Sequence, residues 1–289
     1  MEKIKYYSPL RYPGGKSCIF PFMAQYFYEN NLVGIDYAEP YAGGAGLALR
    51  LLLEEYVGQI YINDYNPSIY AFWKMILKYP DDFCEWIMNV EVSVDNWYKY
   101  KQIQKDYSTA DMMELAKSTF FLNRTNISGV IKGGIIGGIS QKGKYGITAR
   151  FKKEELIEKI KIISRFADRI IVSNEDGILF ARKIDRKQRR TFIYLDPPYY
   201  QKGADLYMNY FTDKDHIDLS NVVKKIKNPW LVSYDNQPFI LDLYAQYQRV
   251  VYQLSQCASN RVGDEVLIFK NGQEYQHSIQ CLKSPIMIQ

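Results

Sequence analysis

The sequence predicts an α/β protein with a mixed β-sheet and helices on both faces. Short apolar runs alternate along the chain with amphipathic stretches of helical period. Two of these runs, at 33–39 and 60–64, end in an acidic residue and lead into a helix-type pattern. The last two runs, at 249–254 and 265–270, have no helix between them, so we expect them to pair antiparallel. Seven strands are expected in all.

Composition agrees with a globular protein that has a polyanionic partner. The chain of 289 residues suits one large domain, or one domain with a substantial insertion. Apolar residues make up 47% and charged residues 24% of it, which is ordinary for a soluble protein. The net charge of +5 favours a polyanion as partner. The 26 tyrosines offer rings that can stack on bases, although most tyrosines in any protein are half-buried core.

The four cysteines and two histidines predict neither a metal site nor a disulfide framework. The cysteines stand far apart without a C-x-x-C pair, so no zinc site follows from their spacing. No run reaches the ~18 apolar residues of a membrane span, and the first residues lack the apolar core of a signal peptide. We therefore expect a cytoplasmic protein with no metal and no membrane partner.

Near the N-terminus, residues 8–17 read SPLRYPGGKS and predict an irregular loop before an amphipathic helical run at 18–29. The Gly-Gly-Lys-Ser string is similar to part of a phosphate-binding loop, but the G-x-x-x-x-G-K-[ST] spacing is missing. We expect Lys16 to reach a ligand carboxylate or a backbone phosphate. The alternative is a plain solvated loop.

Residues 33–46 predict a strand, an acid, a glycine-rich turn and then a helix at 47–55. Glycines in such a turn let the backbone approach a nucleotide-type ligand, although the pattern departs from the dinucleotide-binding G-x-G-x-x-G. The strand at 60–64 ends in Asp64, whose carboxylate is expected to accept hydrogen bonds from ribose hydroxyls. Asp64 could instead only cap the helix that begins near Pro67.

The middle of the chain predicts helices followed by a basic, glycine-rich segment. Residues 68–116 have apolar and aromatic side chains at helical spacing. Between Leu115 and Lys153 there are eight Lys or Arg and no Asp or Glu. Such a stretch suits contacts with DNA phosphates, while a flexible basic loop is the alternative. We expect residues 80–165 to form an inserted, mainly helical target-recognition region, and residues 1–79 and 166–289 to form the catalytic domain.

The second half of the chain continues the alternation. Strands are expected at 169–174, 192–195 and 229–234, and helices at 154–165, 212–227 and 238–246. The helix at 212 begins with a capping-box-like pattern, Thr212 followed by Asp215. Residues 182–190 carry six basic residues against one acid and are interpreted as a solvated connection, with contact to the DNA backbone as the alternative.

The stretch Ile193 to Tyr200 carries the strongest signal. A buried parallel strand ends at an acid and two prolines, through which neither a strand ladder nor a helix can continue. Asp196, Pro197, Pro198 and Tyr199 are therefore expected on a stiff turn at the carboxyl end of a strand, where ligands bind in open α/β sheets. The alternative is that Asp-Pro-Pro simply ends the strand.

Taken together, these stretches resemble the Dam-like (D12 class, alpha group) DNA adenine-N6 methyltransferases over nearly the whole chain, with the motifs in that family's order. The matching segments are Tyr12–Lys16, Glu39–Gly46, Asn63-Asp64, Leu122-Asn123-Arg124, Asp196–Tyr199 and Ser259-Asn260. The resemblance implies a Rossmann-like, S-adenosylmethionine-dependent methyltransferase fold. It also implies S-adenosyl-L-methionine as the cofactor and methyl donor.

The resemblance implies roles for particular residues. The cofactor would contact Tyr12, Lys16, Glu39, Pro40, Tyr41, Gly43, Gly46, Asp64 and Asp196. The catalytic group would be Asp196, Pro197, Pro198 and Tyr199. Together with the basic segment, the resemblance implies that double-stranded DNA would contact Arg124, Ser128, Lys132, Lys142, Lys144 and Asn260. Relatives that read GATC carry Tyr, Asn and Arg where this chain has Ile127, Ser128 and Lys132, so another recognition sequence is expected.

The chemistry of adenine methylation suits the Asp-Pro-Pro-Tyr turn. The amino nitrogen of adenine is a poor nucleophile because its lone pair is delocalised into the ring. Two acceptors facing its hydrogens, the Asp196 carboxylate and the Pro197 carbonyl, favour a tetrahedral nitrogen as positive charge develops. Tyr199 can stack on a base extruded from the duplex. No cysteine stands beside a proline, so C5-cytosine methylation is disfavoured.

The expected function is therefore site-specific methylation of the adenine N6 amino group in duplex DNA, by a monomer. The enzymatic alternatives are methylation of cytosine N4 or of adenine N6 in RNA. An alternative of another class is a catalytically silent DNA-binding specificity subunit that keeps the cofactor fold.

Overall fold

The computed structural model describes residues 6–12, 14–201, 211–255 and 262–288. One sheet of eight strands runs through this part of the chain, in the spatial order β3-β2-β1-β4-β5-β7-β6-β8. The strands are β1 (Asp36–Glu39), β2 (Ile60–Asn63), β3 (Ile170–Ser173), β4 (Thr191–Leu195), β5 (Trp230–Asp235), β6 (Gln248–Ser255), β7 (Val262–Phe269) and β8 (Ile286–Ile288).

The sheet is mixed, as the sequence predicts. Strands β3, β2, β1, β4 and β5 are parallel neighbours, whereas β7 is antiparallel to both β5 and β6. The expected count of seven strands is wrong, because β8 pairs antiparallel with the edge of β6. Sequence periodicity misses β8 because it has only three residues, two of them exposed, and no buried face.

Ten α-helices connect and flank the strands in the described residues. They are α1 (Phe20–Glu29), α2 (Gly46–Leu53), α3 (Pro67–Lys78), α4 (Pro80–Asn89), α5 (Val94–Lys105), α6 (Met112–Thr125), α7 (Lys153–Ser164), α8 (Gly177–Asp185), α9 (Asp213–Val223) and α10 (Pro238–Leu243). The capping box at α9 is confirmed: the Thr212 and Asp215 side chains each bond the other residue's backbone N–H.

One expectation about these elements is wrong. Residues 182–190 are not all a solvated connection, because the first four of them form the last turn of α8. Phe180, Ala181 and Ile184 bury the inner face of that helix, so its basic residues occupy only the outer face.

Strand β4 shows how the sheet is buried on both faces. Phe192 and Tyr194 pack into one apolar cluster together with side chains of α1 and α2. Ile193 and Leu195 pack into a second cluster, with side chains of α8, α9 and α10. Because successive strand residues point to opposite faces, the continuous apolar run of β4 requires helices on both sides.

The region 80–165 contains helices α4 to α7 and a long basic loop. It packs on α3 through aromatic rings: Phe72 stacks on Phe120 with ring centroids 5.7 Å apart, and Phe83 meets both rings edge-on. The boundaries 80 and 165, and the assignment of this region to target recognition, remain predictions. Within the described residues no helix is long and apolar enough to cross a bilayer.

Candidate active site

A cavity of about 760 Å³ opens at the carboxyl ends of the parallel strands. Four acidic residues that line it follow four neighbouring strands: Asp176 after β3, Asp64 after β2, Glu39 at the end of β1, and Asp196 after β4. The chain order reverses between β1 and β4, which is the position where open α/β sheets bind ligands. The cavity size lies in the range of about 300–1,000 Å³ typical of small-molecule sites.

The turn between β1 and α2 needs glycine. Gly43 has φ +47°, and a Cβ atom there would lie 2.6 Å from the ring of Tyr12. The Gly43 N–H donates to Asp64 Oδ2 at 2.9 Å, and the Asn66 N–H donates to Asp64 Oδ1 at 2.9 Å. Asp64 thus ties the tip of β2 to the glycine turn, while Tyr12 covers that turn from the N-terminal loop.

Glu39 and Asp64, two of the three cavity carboxyls with a raised pKa, show the effect of burial. Burial raises the pKa of Glu39 to about 8, although its Oε1 accepts from the Tyr37 hydroxyl at 2.9 Å and from the Ala48 N–H at 3.2 Å. Burial likewise raises the pKa of Asp64 to about 6. Removal from water penalises the charged form of each carboxyl by more than these hydrogen bonds recover.

Lys16 is buried beside Asp196. Its Nζ donates to the Gly14 carbonyl at 3.0 Å and to the Tyr199 hydroxyl at 2.7 Å, and it lies 2.8 and 2.9 Å from the two Asp196 oxygens. Asp196 Oδ1 also accepts from Ser233 Oγ at 2.7 Å. Lys16 directs one N–H at this carboxylate and Ser233 donates to it as well. Since each carboxylate oxygen has about two lone-pair sites, these described contacts leave the Asp196 carboxylate able to accept a further hydrogen bond.

Buried groups act on the charge of Asp196. Burial raises its pKa, while Lys16 opposes that rise and the charge of Glu265 adds to it.

The turn after Asp196 is held at both ends. Downstream of the two prolines, the backbone N–H groups of Tyr200 and Gln201 donate to the Asp235 carboxylate at 2.9 and 3.1 Å. The Asp196 carboxylate therefore has a fixed position at the cavity wall.

Positive charge gathers at another part of the cavity lining, where Arg11, Arg124, Arg150 and Lys159 form what we call the basic wall. Burial and the charges of Arg11 and Arg150 lower the pKa of Arg124 to about 10. Burial and Arg124 also lower the pKa of Lys159. The carboxylate that offsets these charges, Glu155, is exposed and pairs with Lys152 at 2.8 Å.

Asn123, part of the Leu-Asn-Arg segment, fixes the backbone beneath the basic wall. Its side chain accepts from the Arg11 N–H and donates to the Arg11 carbonyl, both at 2.7 Å, and donates to the Gly129 carbonyl at 2.8 Å. A Cβ on Gly129, which has φ +77°, would collide with the Arg11 carbonyl. A buried amide thus joins the N-terminal loop to the start of the basic segment.

The structure brings together most of the residues expected at the cofactor and the reaction centre. The cavity lining includes Tyr12, Lys16, Glu39, Tyr41, Gly46, Asp64, Asp196 and Pro198. Pro40 and Gly43 support the lining from behind: the Pro40 carbonyl accepts from Asn63 Nδ2, and the Gly43 carbonyl accepts from Trp73 Nε1, each at 2.9 Å. Tyr199 is buried, with 4% of its surface exposed.

The expected DNA contacts divide into two groups. Arg124 and Ser128 line the cavity. Lys132, Lys142 and Lys144 are exposed on the loop beyond it and do not belong to that lining. Asn260 lies outside the described residues.

Sequence reasoning missed several residues that the fold adds to the site. They are Arg11, Arg150, Lys159, Asp176, Ser233 and Glu265. Asp176 could have been found, since it follows an apolar strand as Asp64 does. Glu265 could not have been found in this way, because the residues around it in the sequence are those of an ordinary strand and no motif marks it. Among the described residues, no three His, Cys, Asp or Glu side chains are grouped so as to hold a metal ion.

The sheet order, the glycine turn and the acidic strand ends define the class of α/β proteins that bind a nucleotide-type ligand at the switch point of the sheet. Residues 12–255 match the family of D12 class N6 adenine-specific DNA methyltransferases. The chain belongs to this family.

Two similar proteins carry related names. The type II methyltransferase M.CviBI of Paramecium bursaria Chlorella virus NC1A is 25% identical over 242 residues, covering 81% of this chain and 89% of the relative. The type II methyltransferase M1.LlaDCHI of Lactococcus lactis subsp. cremoris is 21% identical over 252 residues, covering 82% and 84%. The similarity extends over most of both relatives.

Proposed function

We propose that this enzyme transfers a methyl group from S-adenosylmethionine to the N6 amino group of an adenine flipped out of duplex DNA at a specific sequence. The observation that carries the proposal is the Asp196 carboxylate, which Lys16 and Ser233 fix at the wall of the cavity and leave able to accept a further hydrogen bond.

The cavity suits S-adenosylmethionine. The glycine turn allows Tyr12 to pack directly on its backbone, and Tyr12 and the turn both line the cavity. The Asp64 carboxyl lies where ribose hydroxyls could bond to it. The Tyr41 hydroxyl is buried without a hydrogen-bond partner in the described part of the chain, so it can bond a ligand. Tyr12, Glu39–Gly46 and Asp64 would hold the cofactor, with Asp196 at its junction with the adenine. Lys16 would line the cofactor site while its N–H groups bond Gly14, Asp196 and Tyr199.

When bound, S-adenosylmethionine would supply a sulfonium methyl group to the amino nitrogen, with S-adenosylhomocysteine as the leaving group and one amino proton lost to solvent. The Asp196 carboxylate can accept one N6 hydrogen, and the Pro197 carbonyl is the proposed second acceptor. Both acceptors gain strength as positive charge develops on the nitrogen, so they stabilise the transition state more than the ground state.

Tyr199 is proposed to stack on the flipped adenine. In the structure its hydroxyl bonds inward, and the Lys16 ammonium lies 5.0 Å from the ring centroid. Because the ring is buried, stacking requires a neighbouring side chain to move and uncover one face. Extruding a base from the duplex costs a few kcal/mol. Contacts that form only in the DNA complex are suited to offset this cost and to drive the movement of the side chain.

The basic wall and the exposed lysines suit the phosphate backbone. Neutralising phosphates with Lys and Arg gives affinity without sequence information. Arg124, Arg150 and Lys159 would hold the strand next to the flipped nucleotide, because they line the cavity that would receive the base. Lys132, Lys142 and Lys144 would contact the duplex farther away, and Asn260 remains a proposed contact on sequence grounds alone.

The test is to incubate the purified chain with methyl-labelled S-adenosylmethionine and duplex DNA, and then to analyse the nucleosides. We expect the label in N6-methyladenine. Label in N4-methylcytosine, or in RNA adenine only, would replace this proposal with one of the alternatives. Cofactor binding without any transfer would indicate a silent specificity subunit.

We further propose a cytoplasmic monomer that acts in restriction-modification. The names of M.CviBI and M1.LlaDCHI, both type II methyltransferases, support that setting. Sedimentation of the free chain would test the monomer. Protection of host DNA from a co-expressed type II endonuclease of the same specificity would test the role.

A further inference from the structure

Glu265 lies behind the reaction centre, on β7, and is buried with 2% of its surface exposed. Its Oε1 accepts a hydrogen bond from the Tyr199 hydroxyl. Its Oε2 accepts from the Tyr252 hydroxyl at 2.8 Å, and Tyr252 stands directly opposite it on β6. Lys16 Nζ is 3.6 Å from Oε2, too far to be one of its hydrogen bonds. Two tyrosines and one ammonium thus surround this buried carboxylate.

The hydrogen bonds form a chain with a defined direction. Lys16 has three N–H groups, and they are directed at Gly14, Asp196 and the Tyr199 oxygen. The Tyr199 hydroxyl has one hydrogen, and it is directed at Glu265. Because that hydrogen points to Glu265, the Tyr199 oxygen presents a lone pair to Lys16, and this fixes where Lys16 holds Asp196.

We propose that Glu265 is a positioning residue for the methyl transfer, acting through the Tyr199 hydroxyl and Lys16 to set the position and charge of Asp196. The inference rests on the proposed function, since it assigns Glu265 to the same reaction. Glu265 is outside the Asp-Pro-Pro-Tyr turn and does not line the cavity, so it would touch neither DNA nor cofactor.

Glu265 also acts on Asp196 through its charge. Two carboxylates share the single ammonium of Lys16, and the Glu265 charge raises the pKa of Asp196. The other titratable groups that interact with Asp196 are Glu39 and the hydroxyls of Tyr37, Tyr194 and Tyr234. They remain in place when Glu265 alone is replaced, so a change in the titration of Asp196 reports on Glu265.

The test is Glu265→Gln, assayed as steady-state methylation of duplex DNA from pH 5 to pH 9. We expect kcat to fall about 10- to 100-fold, because the charged acceptor of the Tyr199 hydrogen bond becomes a neutral amide and that bond is weakened. The Kd for S-adenosylmethionine, measured by calorimetry, should change little. The acid limb of the kcat profile should move to lower pH, because the charge that raises the pKa of Asp196 is removed.

The matched control is Asp264→Asn, which makes the same change of charge one residue away on an exposed side chain of β7. It should leave kcat and the acid limb as in the wild type. A double-mutant cycle with Tyr199→Phe separates positioning from general damage, because groups that act in series give non-additive losses. We expect Glu265→Gln to cost much less in the Tyr199→Phe background.

The proposal is overturned if Glu265→Gln keeps the wild-type kcat and pH profile, or if its loss and that of Tyr199→Phe add. Should Glu265→Gln not fold, Glu265→Asp keeps the charge but draws the carboxylate back by one methylene. A reduced kcat with an unmoved acid limb is then expected, and an unchanged kcat refutes the role. A wild-type chain that labels no adenine would instead contradict the proposed function.

Discussion

The sequence predicts Asp196 as a site residue, but it does not predict which residues surround its carboxyl group. The sequence places a carboxyl before two prolines at the end of a buried strand, and the structure adds the partners that determine its charge. Lys16 reaches it from the N-terminal loop, and Ser233 reaches it from β5. Because burial raises the pKa of Asp196 and Lys16 opposes this rise, the carboxylate depends on a contact that spans most of the chain.

Replacing Asp196 tests its role directly. We expect Asp196→Ala to lower kcat at least ~100-fold, the loss typical when one preorganised hydrogen-bonding group at a reaction centre is removed. DNA binding, measured by fluorescence anisotropy, should stay near the wild-type level. The exposed acid Asp218 on α9 gives the control Asp218→Ala. Near-normal turnover in Asp196→Ala would refute the assignment.

Glu39 provides a prediction for stability against pH. Its pKa is raised from 4.5 to about 8 by burial, so the folded chain binds this proton more tightly than the unfolded chain does. Between these two values, stability falls as pH rises, by at most roughly 1.4 kcal/mol per pH unit. In Glu39→Gln the side-chain oxygen can still accept from Tyr37 and Ala48, because both bond to one oxygen of Glu39.

The expected outcome is that Glu39→Gln gains stability relative to the wild type as pH rises from 5 to 8, and that the difference stays constant above pH 8. Urea unfolding of the ligand-free protein at pH 5, 6.5, 8 and 9 measures this. Parallel stability curves for the two proteins would show that Glu39 does not titrate in this range.

At the scale of elements, the basic wall is assembled from parts that are distant in sequence. Arg11 comes from the N-terminal loop, Arg124 from α6, Arg150 from a 3₁₀ turn and Lys159 from α7. The acid-free segment at 115–153 contains only two of these four, and of those only Arg124 is predicted as a DNA contact. Arg11 and Lys159 join them because Asn123 holds the N-terminal loop beside α6 and Lys159 lies in the helix that follows the basic segment.

Salt dependence tests the basic wall. Arg150→Ala should weaken DNA binding and make the slope of log K against log[salt] less steep by about 0.9, the value for one phosphate contact. Lys132→Ala and Lys144→Ala should act in the same direction if their loop contacts the duplex. Lys225→Ala is the control, because it precedes β5 at the amino end of the sheet, opposite the cavity. An unchanged slope would remove the altered residue from the interface.

The sequence predicted seven of the eight strands and the direction of the last large pair. It missed β8, whose three residues are held by pairing with β6 and have no apolar periodicity. It also missed α8, whose signals are local: Asp176 caps it, and its apolar residues recur at helical spacing but are interspersed with basic residues of the stretch interpreted as a solvated connection.

At the scale of the whole molecule, the order of the strands in the sheet brings the residues of the site together. Parallel pairing of β3, β2, β1 and β4 puts four carboxyl ends on one edge, so the four acids meet although they span residues 39 to 196. The basic region at 80–165 lies between β2 and β3 in the chain. If this region is the proposed target-recognition insertion, its place between two strands lets it contact DNA at the catalytic edge without disturbing the sheet.

The recognition sequence depends on which side chains the fold places beside the cavity. Ile127 is exposed, Ser128 lines the cavity and Lys132 is exposed. At these positions the resemblance implies Tyr, Asn and Arg in enzymes that read GATC. We expect methylation at a sequence other than GATC. Single-molecule sequencing of a methylation-free host that expresses the chain would give the motif, and a host that expresses Asp196→Ala serves as the blank. Methylation at GATC would contradict the expectation.

The sequence by itself determined the fold class, the cofactor-type turn, the acids at the strand ends and the family resemblance, because each depends on residues close together in the chain. The tertiary structure alone decided which charges act together. Lys16, Asp196 and Glu265 stand far apart in sequence, and the N-terminal loop and β7 bring them within hydrogen-bonding or ion-pair distance. Burial then sets their charge states, and burial is a property of the packed molecule rather than of any local stretch.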